Sequence, residues 1–509
     1  MLTPLRVRLL RLTMRPVDRL LQLISEDYSL FVWFFKTMPT SALEWLGRSR
    51  AVRACDFAAR RVPAYHEFLQ IRSVTSDEVA RFAVPATDKE NYINVYRFDE
   101  RCVDGVFPMH EVAIDESSGS TGTPYNWIRS VRERRTSHLA VSHFARHAFG
   151  NEPWITINAF SMGAWATGIN MGIALQRNSV VKNTGPDLDK IFGTLEHFGP
   201  GYQYLICGYP PFLKQLIDIA RERRFPLQDY KLMALLGGEG NSEGLRDYLA
   251  ASFERVFSGY GATDVEIGIA GETPTSVAVR RAAWRDPALR EALFGHDSRL
   301  PMLFQYNPLM HHIVADSSAE LNLTITRINV LCPRIHYNIH DEGGVAPFHE
   351  MRSRWEEAGL SLGELVDPSS APAVPMPFLW VYGRKDSTVS IMGANIYPED
   401  LEECLYEEPD LARLTRSFCL GLHEEADSSV RPRFSFEVTV EITPELDAEF
   451  RRRIVGRLVA LNADFREAMK ESEQSANPVV ELYALGAGPF AADASRIKQI
   501  RMVSPAHAV

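Results

Sequence analysis

At 509 residues the chain is too long for one simple core and is expected to form two or more domains. Its 45% hydrophobic and 24% charged residues are ordinary for a soluble globular protein, and a net charge of −10 excludes a general nucleic-acid binder, which would carry a basic footprint. Six scattered cysteines (Cys55, Cys102, Cys207, Cys332, Cys404, Cys419) with no CxxC exclude a disulfide framework and a zinc site, and read as buried or incidental thiols in a reducing compartment.

Residues 1–24 combine Arg6, Arg8, Arg11, Arg15 and Arg19 with leucines at helical spacing. Such a helix either packs on the protein with a solvated face or lies on a membrane surface, and the packing reading is preferred. Arginines interrupt any apolar core, so no cleavable signal peptide is evident. The apolar run Leu30 to Phe35 is far too short to span a bilayer, and a cytoplasmic protein is expected. Residues 1–90 read as a mostly helical lead-in broken by Pro63 and Pro85.

Next comes Ser117-Ser118-Gly119-Ser120-Thr121-Gly122-Thr123-Pro124, between the strand-like runs Glu111–Ile114 and Tyr125–Ile128. Glycine lets the backbone approach a ligand closely, and successive N–H groups with Ser and Thr hydroxyls can converge on an anion. The flanking runs favour a hairpin-like phosphate loop over a flexible linker. The GxxxxGK[ST] loop is absent, because no lysine follows Gly122.

Residues 131–148 read as a helix and Trp154–Ile157 as a strand. Tyr204–Cys207 is a strand followed by a turn at Pro210-Pro211 and a helix from Phe212 to Glu222. Leu232–Leu236 is a buried-type strand ending at Gly237-Gly238, a helix spans about 242–253, and Val256–Tyr260 opens the next strand. This rhythm predicts an α/β domain with ligands at the carboxyl ends of strands. The Pro-rich stretch 360–377 marks a surface loop near a boundary. Beyond it are strand-like residues 378–392, a helix opening at Pro398, a strand at 432–441, a helix at 444–462 and a closing tail at 493–503, together a smaller α+β unit.

Further motifs follow in order: Gly237-Gly238-Glu239-Gly240, Gly259-Tyr260-Gly261-Ala262-Thr263-Asp264, Tyr337-Asn338-Ile339-His340-Asp341, Gly383-Arg384-Lys385-Asp386 and Lys498-Gln499-Ile500-Arg501. With the fragments Val62–Tyr65, Pro85–Lys89 and Gly393–Pro398, their order and spacing resemble the adenylate-forming superfamily, nearest its phenylacetate–CoA ligase branch with the capsule-biosynthesis-type relatives. The resemblance spans about residues 50–505. It implies an ATP- and acyl-binding domain at 1–383 and a small mobile α+β lid at 384–509. It also implies a reaction in which a carboxylate attacks the α-phosphate of ATP, pyrophosphate leaves, and a nucleophile, typically the CoA thiol, displaces AMP.

By the same resemblance, Ser118, Gly119, Ser120, Thr121, Gly122 and Thr123 hold the β,γ-phosphates. Gly238 and Glu239 also fall in the nucleotide site. Tyr260, with Gly261, packs near the adenine, and Thr263 bonds the α-phosphate. Asp264 stands where the family has Glu as the Mg²⁺-associated carboxylate. Asp341 accepts the ribose hydroxyls, a role suited to a pure acceptor; its alternative is a turn-forming Asp before Gly343-Gly344. Arg384 contacts ribose or phosphate, Asp386 is the hinge, and Lys498 is the catalytic lysine, although Ile497 replaces the glycine usually preceding it. Phe160, Trp165, Tyr209 and Gly237 are expected to line the acyl pocket, with simple core packing as the alternative for Phe160 and Trp165. His143 and His147 stand four apart with no third ligand, and no zinc is assigned.

The expected activity is that of an ATP-dependent acid–CoA ligase using ATP, Mg²⁺ and CoA. The alternatives are an adenylating ligase that serves an amine, amino acid or carrier protein, and a non-catalytic nucleotide-binding protein on the same fold. A small carboxylic acid is the expected substrate, no nucleic acid or transmembrane segment is expected, and a homodimer is left open.

Overall fold

The computed structural model describes residues 5–117, 125–297, 299–361, 363, 366, 373–384, 389–391, 394–424, 430–471, 476–491 and 501–503. Two compact units emerge. The first comprises residues 1–185, 257–295 and 301–382; the second comprises 186–256, 296–300 and 383–509.

The first unit opens with helices α1 (Leu5–Glu26), α2 (Tyr28–Thr37), α3 (Thr40–Arg61), α4 (Pro63–Ile71) and α5 (Ser76–Arg81), as the lead-in predicts. Pro63 occupies the first position of α4, where its missing N–H costs nothing. Helix α1 buries Val7, Leu10 and Met14, while Leu9, Leu12, Leu20 and Leu23 stay exposed. Arg11 of α1 pairs with Asp56 at 2.6 Å, which ties this helix to α3. No helix among the described residues is long and apolar enough to cross a membrane.

Strands β1 (Val112–Glu116) and β2 (Asn126–Ser130) form an antiparallel hairpin. Helix α6 (Val131–Phe149) leads to β3 (Trp154–Asn158), which pairs in parallel with β4 (Val180–Asn183) across the helix Ala166–Leu175. In the second unit β5 (Gln203–Gly208) and β6 (Lys231–Gly237) are likewise parallel, joined through the helix Pro210–Glu222. That helix begins at Pro210 rather than after a turn, because two prolines fit its first positions.

The remaining strands of the first unit are β7 (Arg255–Ala262), β8 (Glu266–Gly271), β9 (Met302–Tyr306), β10 (His311–Ala315), β11 (Glu320–Ile325), β12 (Tyr337–Ala346) and β13 (Phe378–Arg384), hydrogen-bonded in the order β10-β11-β12-β13-β9-β8-β7. β7–β8, β8–β9, β9–β13, β10–β11 and β11–β12 are all antiparallel. Several of the connections here are too short for a helical crossover, so the chain turns back on itself. One apolar core joins this sheet to the helical lead-in through Tyr65, Phe68, Tyr92, Trp127, Phe304, Leu323, Tyr337 and Leu379.

Gly343 and Gly344 lie inside β12, not in a turn. A Cβ on Gly343 would stand 2.1 Å from the carbonyl oxygen of Trp380, so the neighbouring strand approaches too closely for any side chain.

The rest of the second unit is α+β. It holds the hairpin β14 (Val389–Ile391)–β15 (Ala394–Ile396) and a sheet of β16 (Thr415–Glu424), β17 (Val430–Val438), β18 (Val479–Ala484) and β19 (Met502–Val503) in the order β18-β17-β16-β19. Helices Pro398–Tyr406 and Pro444–Leu461 pack against it around Leu401, Phe418, Phe434, Phe436, Phe450, Ile454 and Leu458.

His147 and His312 make the first unit sensitive to acid. Burial, with Lys36 near His147 and Arg48 near His312, lowers both from the ordinary 6.5 to about 4. Their contribution is present above the unfolded value and is lost as pH falls toward the folded one. Each is therefore expected to cost about 2 kcal/mol of stability by pH 5. Urea unfolding midpoints at pH 7 and pH 5 check this, and replacing either histidine by Gln should flatten the difference by about that amount.

Candidate active site

The hairpin β1–β2 frames the glycine-serine loop. Glu116 and Asn126 pair at its mouth, the Ser117 N–H donates to the Tyr125 carbonyl at 2.9 Å, and the Tyr125 N–H donates to Ser117 Oγ at 3.0 Å. The segment is thus closed by a hairpin stem, as its flanks predict. Ser118, Gly119, Ser120, Thr121, Gly122 and Thr123 themselves lie outside the described residues.

This stem is tied to the Tyr260–Asp264 motif. Arg129 of β2 pairs with Asp115 of β1 at 3.3 Å, and its guanidinium also donates to the carbonyls of Thr263 and, at 2.8 Å, Val265. Asp115 accepts from Asn170 at 3.1 Å as well. A buried arginine therefore holds the loop's base and the turn bearing Thr263 and Asp264 in one frame, and charge-assisted bonds make it stiff.

Three of the expected site residues come together here. The Tyr260 hydroxyl donates to Asp341 Oδ2 at 2.6 Å, and the Tyr260 ring stacks on Phe304 at 5.6 Å between centroids. Burial, then Asp341, raises the Tyr260 phenol well above its ordinary value, so it stays a donor at neutral pH. A register shift in the β11–β12 pairing and a left-handed backbone at His340 (φ 61°) set the position of Asp341 within the strand. Asp264 is half-buried. It pairs with Lys89 Nζ at 3.0 Å and accepts from the Tyr337 hydroxyl at 3.0 Å. The Arg334 guanidinium donates to the Asp264 carbonyl at 2.8 Å and lies over the Trp127 ring at 5.0 Å.

Two carboxylates follow Thr263 closely, and burial separates them. Glu266 is 3% exposed and bound by Arg327 and, at 2.8 Å, His311, so it serves the interior. Asp264 faces the cationic Lys89 and retains access. Among the described residues one group has metal-ligand spacing, Asp88, Glu90 and His340, and Asp264 is not part of it. Asp264 fits a Mg²⁺ site as a single carboxylate, since that ion takes few protein ligands and completes its shell with phosphate oxygens and water.

Gly261 permits this geometry. A Cβ there would stand 2.3 Å from the Ile267 carbonyl oxygen and 2.9 Å from that of Glu266. Gly261→Ala is expected to push the β7–β8 hairpin apart, cost about 1–3 kcal/mol in thermal unfolding, and displace Tyr260. Lower Tm together with weaker nucleotide binding in calorimetry would bear this out.

The pocket candidates are spread along the chain. Phe160 is fully buried at 1% exposure, whereas Trp165 is half-buried and bridges to Glu116 at the loop's stem. In the second unit Tyr209 follows β5 and Gly237 ends β6, so both sit at the carboxyl end of that parallel pair. Gly238 takes φ 86° and Glu239 follows it just before the helix Glu243–Ala250. Arg384 closes β13. Asp386 and Lys498 lie outside the described residues. After Lys498, Arg501 rests over Phe418 at 3.9 Å and pairs with Glu402 at 3.3 Å.

Sequence reasoning missed Lys89, Arg129 and Arg334 as organisers of this site, and Glu266 as a buried charge beside it. Lys89 and Tyr337 both stand in fragments quoted for the resemblance, but their meeting on Asp264 needs the fold. His143 and His147 anchor the lead-in helices, His143 Nε2 lying 2.7 Å from the Ser25 carbonyl and His147 Nδ1 lying 3.1 Å from the Tyr28 hydroxyl.

No family model matches this sequence, and no curated protein matches it. Among solved structures, it is similar to 2-hydroxyisobutyryl-CoA ligase in its postadenylation state with 2-HIB-AMP, at 14% identity, 92% coverage of this chain, 91% of that chain and a TM-score of 0.66. The same ligase with R3-HIB-AMP gives 14% identity, the same coverages and 0.65. Its complex with 2-HIB-AMP and CoA in the thioesterification state gives 14% identity, again 92% and 91%, and 0.53. The chain shares its fold with this ligase.

Proposed function

We propose that this protein is an ATP-dependent acid–thiol ligase that makes an acyl-adenylate and pyrophosphate and then passes the acyl group to CoA. The observation that carries the reading is the Tyr260–Asp341 hydrogen bond with Asp264 close enough to act on the same phenol, beside the hairpin stem of the glycine-serine loop and on a fold shared with a ligase solved with 2-HIB-AMP.

Both reactants are anionic, so the site must offset their repulsion and the charge that builds up at the α-phosphorus. The loop Ser118–Thr123 would receive the β,γ-phosphates with N–H and hydroxyl donors. Thr263, fixed through Arg129, would donate to the α-phosphate. Asp341 would accept the ribose hydroxyls, with Tyr260 holding its carboxylate and presenting a ring to the adenine. Asp264 would hold Mg²⁺, which neutralises phosphate charge when bound. Lys498 would bring an ammonium between the acid and the α-phosphate, and Arg384 a second cation. Gly238 and Glu239 would border the nucleotide, and Phe160, Trp165, Tyr209 and Gly237 the acyl group. Residues 384–509 would act as a lid rotating at Asp386 between the half-reactions, in a cytoplasmic enzyme.

The test is pyrophosphate release from ATP and Mg²⁺ across aryl and aliphatic acids, with and without CoA. Acid-dependent release followed by CoA-thioester formation is the expected result. Adenylation with acyl transfer only to amines or a carrier protein would move the acceptor. ATP binding without release for any acid would sink the catalytic reading. Asp341→Asn is expected to raise the ATP concentration for half-saturation about tenfold, the size of one charge-assisted hydrogen bond, with the maximal rate less affected.

A further inference from the structure

Cys102 and Cys332 are far apart in sequence, yet their sulfurs meet at 3.4 Å in the first unit. Cys102 is fully buried and Cys332 is 8% exposed. The backbone aligns the two segments beside the thiols, because the Val103 N–H donates to the Leu331 carbonyl at 2.9 Å. The Cys332 thiol lies below its ordinary value, chiefly through the hydrogen bond from Cys102, with Arg334 and Arg101 assisting against the opposing effect of burial. The Cys102 thiol is raised by the same bond and by burial. The pair is therefore polarised: one sulfur carries the thiolate character and the other holds the proton.

We propose that Cys102 and Cys332 form a dithiol–disulfide site, with Cys332 as the sulfur that attacks peroxide and Cys102 as the resolving thiol. The Cys332 thiolate attacks the O–O bond of hydrogen peroxide, giving a sulfenic acid and hydroxide, which takes up a proton to become water. The Cys102 sulfur then displaces the sulfenic oxygen as a second water and forms the S–S bond. Two thiols and one peroxide become one disulfide and two waters, and two electrons pass from sulfur to peroxide. A small-molecule dithiol reverses the bond by exchange. Bonding requires the sulfurs to approach by about 1.4 Å, to the normal disulfide length of about 2.0 Å, a shift within reach of side-chain rotation.

The bridge would fall beside the candidate site. The Cys332 carbonyl accepts from Arg334 at 2.9 Å, and Arg334 donates to the Asp264 carbonyl at 2.8 Å. Three of the other cysteines are less suited: Cys55 sits against the Tyr65 hydroxyl at 3.6 Å with its thiol pushed up to about 12, and burial raises Cys207 and Cys404 as well.

The test uses the full-length folded protein and needs no activity. After treatment with hydrogen peroxide, free thiols are alkylated, and digestion with mass spectrometry is expected to give a Cys102–Cys332 linked peptide 2 Da lighter than its parts, removed by dithiothreitol. Oxidation should raise the unfolding temperature by several degrees, because the bridge closes a long loop of the unfolded chain. In Cys102→Ser, dimedone should label Cys332 as a persistent sulfenic acid. Recovery of both cysteines as alkylated thiols after peroxide, or dimedone labelling at Cys102 in Cys332→Ser with none at Cys332 in Cys102→Ser, would overturn the assignment. The wild-type map stands even where a variant does not fold.

Discussion

Glu266→Ala is expected to destabilise the first unit by about 3–5 kcal/mol, the cost of leaving a buried charge without its partner. Glu266 binds Arg327 and His311 at a point where Arg327 is 7% exposed and His311 is 1% exposed. The Nε and Nη1 atoms of Arg327 have no hydrogen-bond partner among the described residues, so the carboxylate is its main compensation there. Burial pushes the Glu266 carboxyl up, but Arg327 and His311 outweigh it and hold it well below the ordinary carboxylate range. The stabilisation is accordingly full at neutral pH and fades as pH falls below the usual carboxylate value. Removing both members with Glu266→Leu and Arg327→Met should recover most of the loss, since an apolar pair of similar volume avoids the desolvation of two ions. Urea unfolding of the two variants at pH 7 separates these outcomes. A loss under 1 kcal/mol in Glu266→Ala would mean that water reaches Arg327.

Lys498→Ala should lower acid-dependent pyrophosphate release about 100- to 1000-fold, the usual size of losing one preorganised donor at a developing anion, and Asp264→Ala should lower it comparably by weakening the hold on the Mg²⁺ that would neutralise that charge. The fold should survive Asp264→Ala at a cost of about 1–2 kcal/mol, because Asp264 loses a partly buried pair with Lys89 and a hydrogen bond from the Tyr337 hydroxyl. The two variants should differ in kind. Asp264→Ala should raise the Mg²⁺ concentration needed for half-maximal rate, whereas Lys498→Ala should leave it unchanged and depress the maximal rate. A full rate in Asp264→Ala would move the metal to other ligands, for which Asp88, Glu90 and His340 are the described group.

Local pattern was enough to read much of this protein from its sequence. The helical lead-in, the strand pair around the glycine-serine loop, β3, β5, β6 and the helix Pro444–Leu461 follow from apolar periodicity and from the placement of Pro and Gly, which act within a few residues. The order of motifs pointed to the adenylate-forming fold and to Tyr260, Asp264 and Asp341, because each motif is a short contiguous string. What surrounds those residues was decided only by tertiary structure. Antiparallel pairing from β7 to β13 depends on which strand finds which neighbour, and periodicity is blind to that. Lys89 and Tyr337 reach Asp264 from distant segments, Arg129 ties the loop stem to the Thr263 turn, and packing buries Glu266 in the interior while leaving Asp264 partly accessible. The two cysteines that look incidental in the sequence meet for the same reason: contacts between residues hundreds of positions apart arise from the packing of whole elements, and no local signal encodes them.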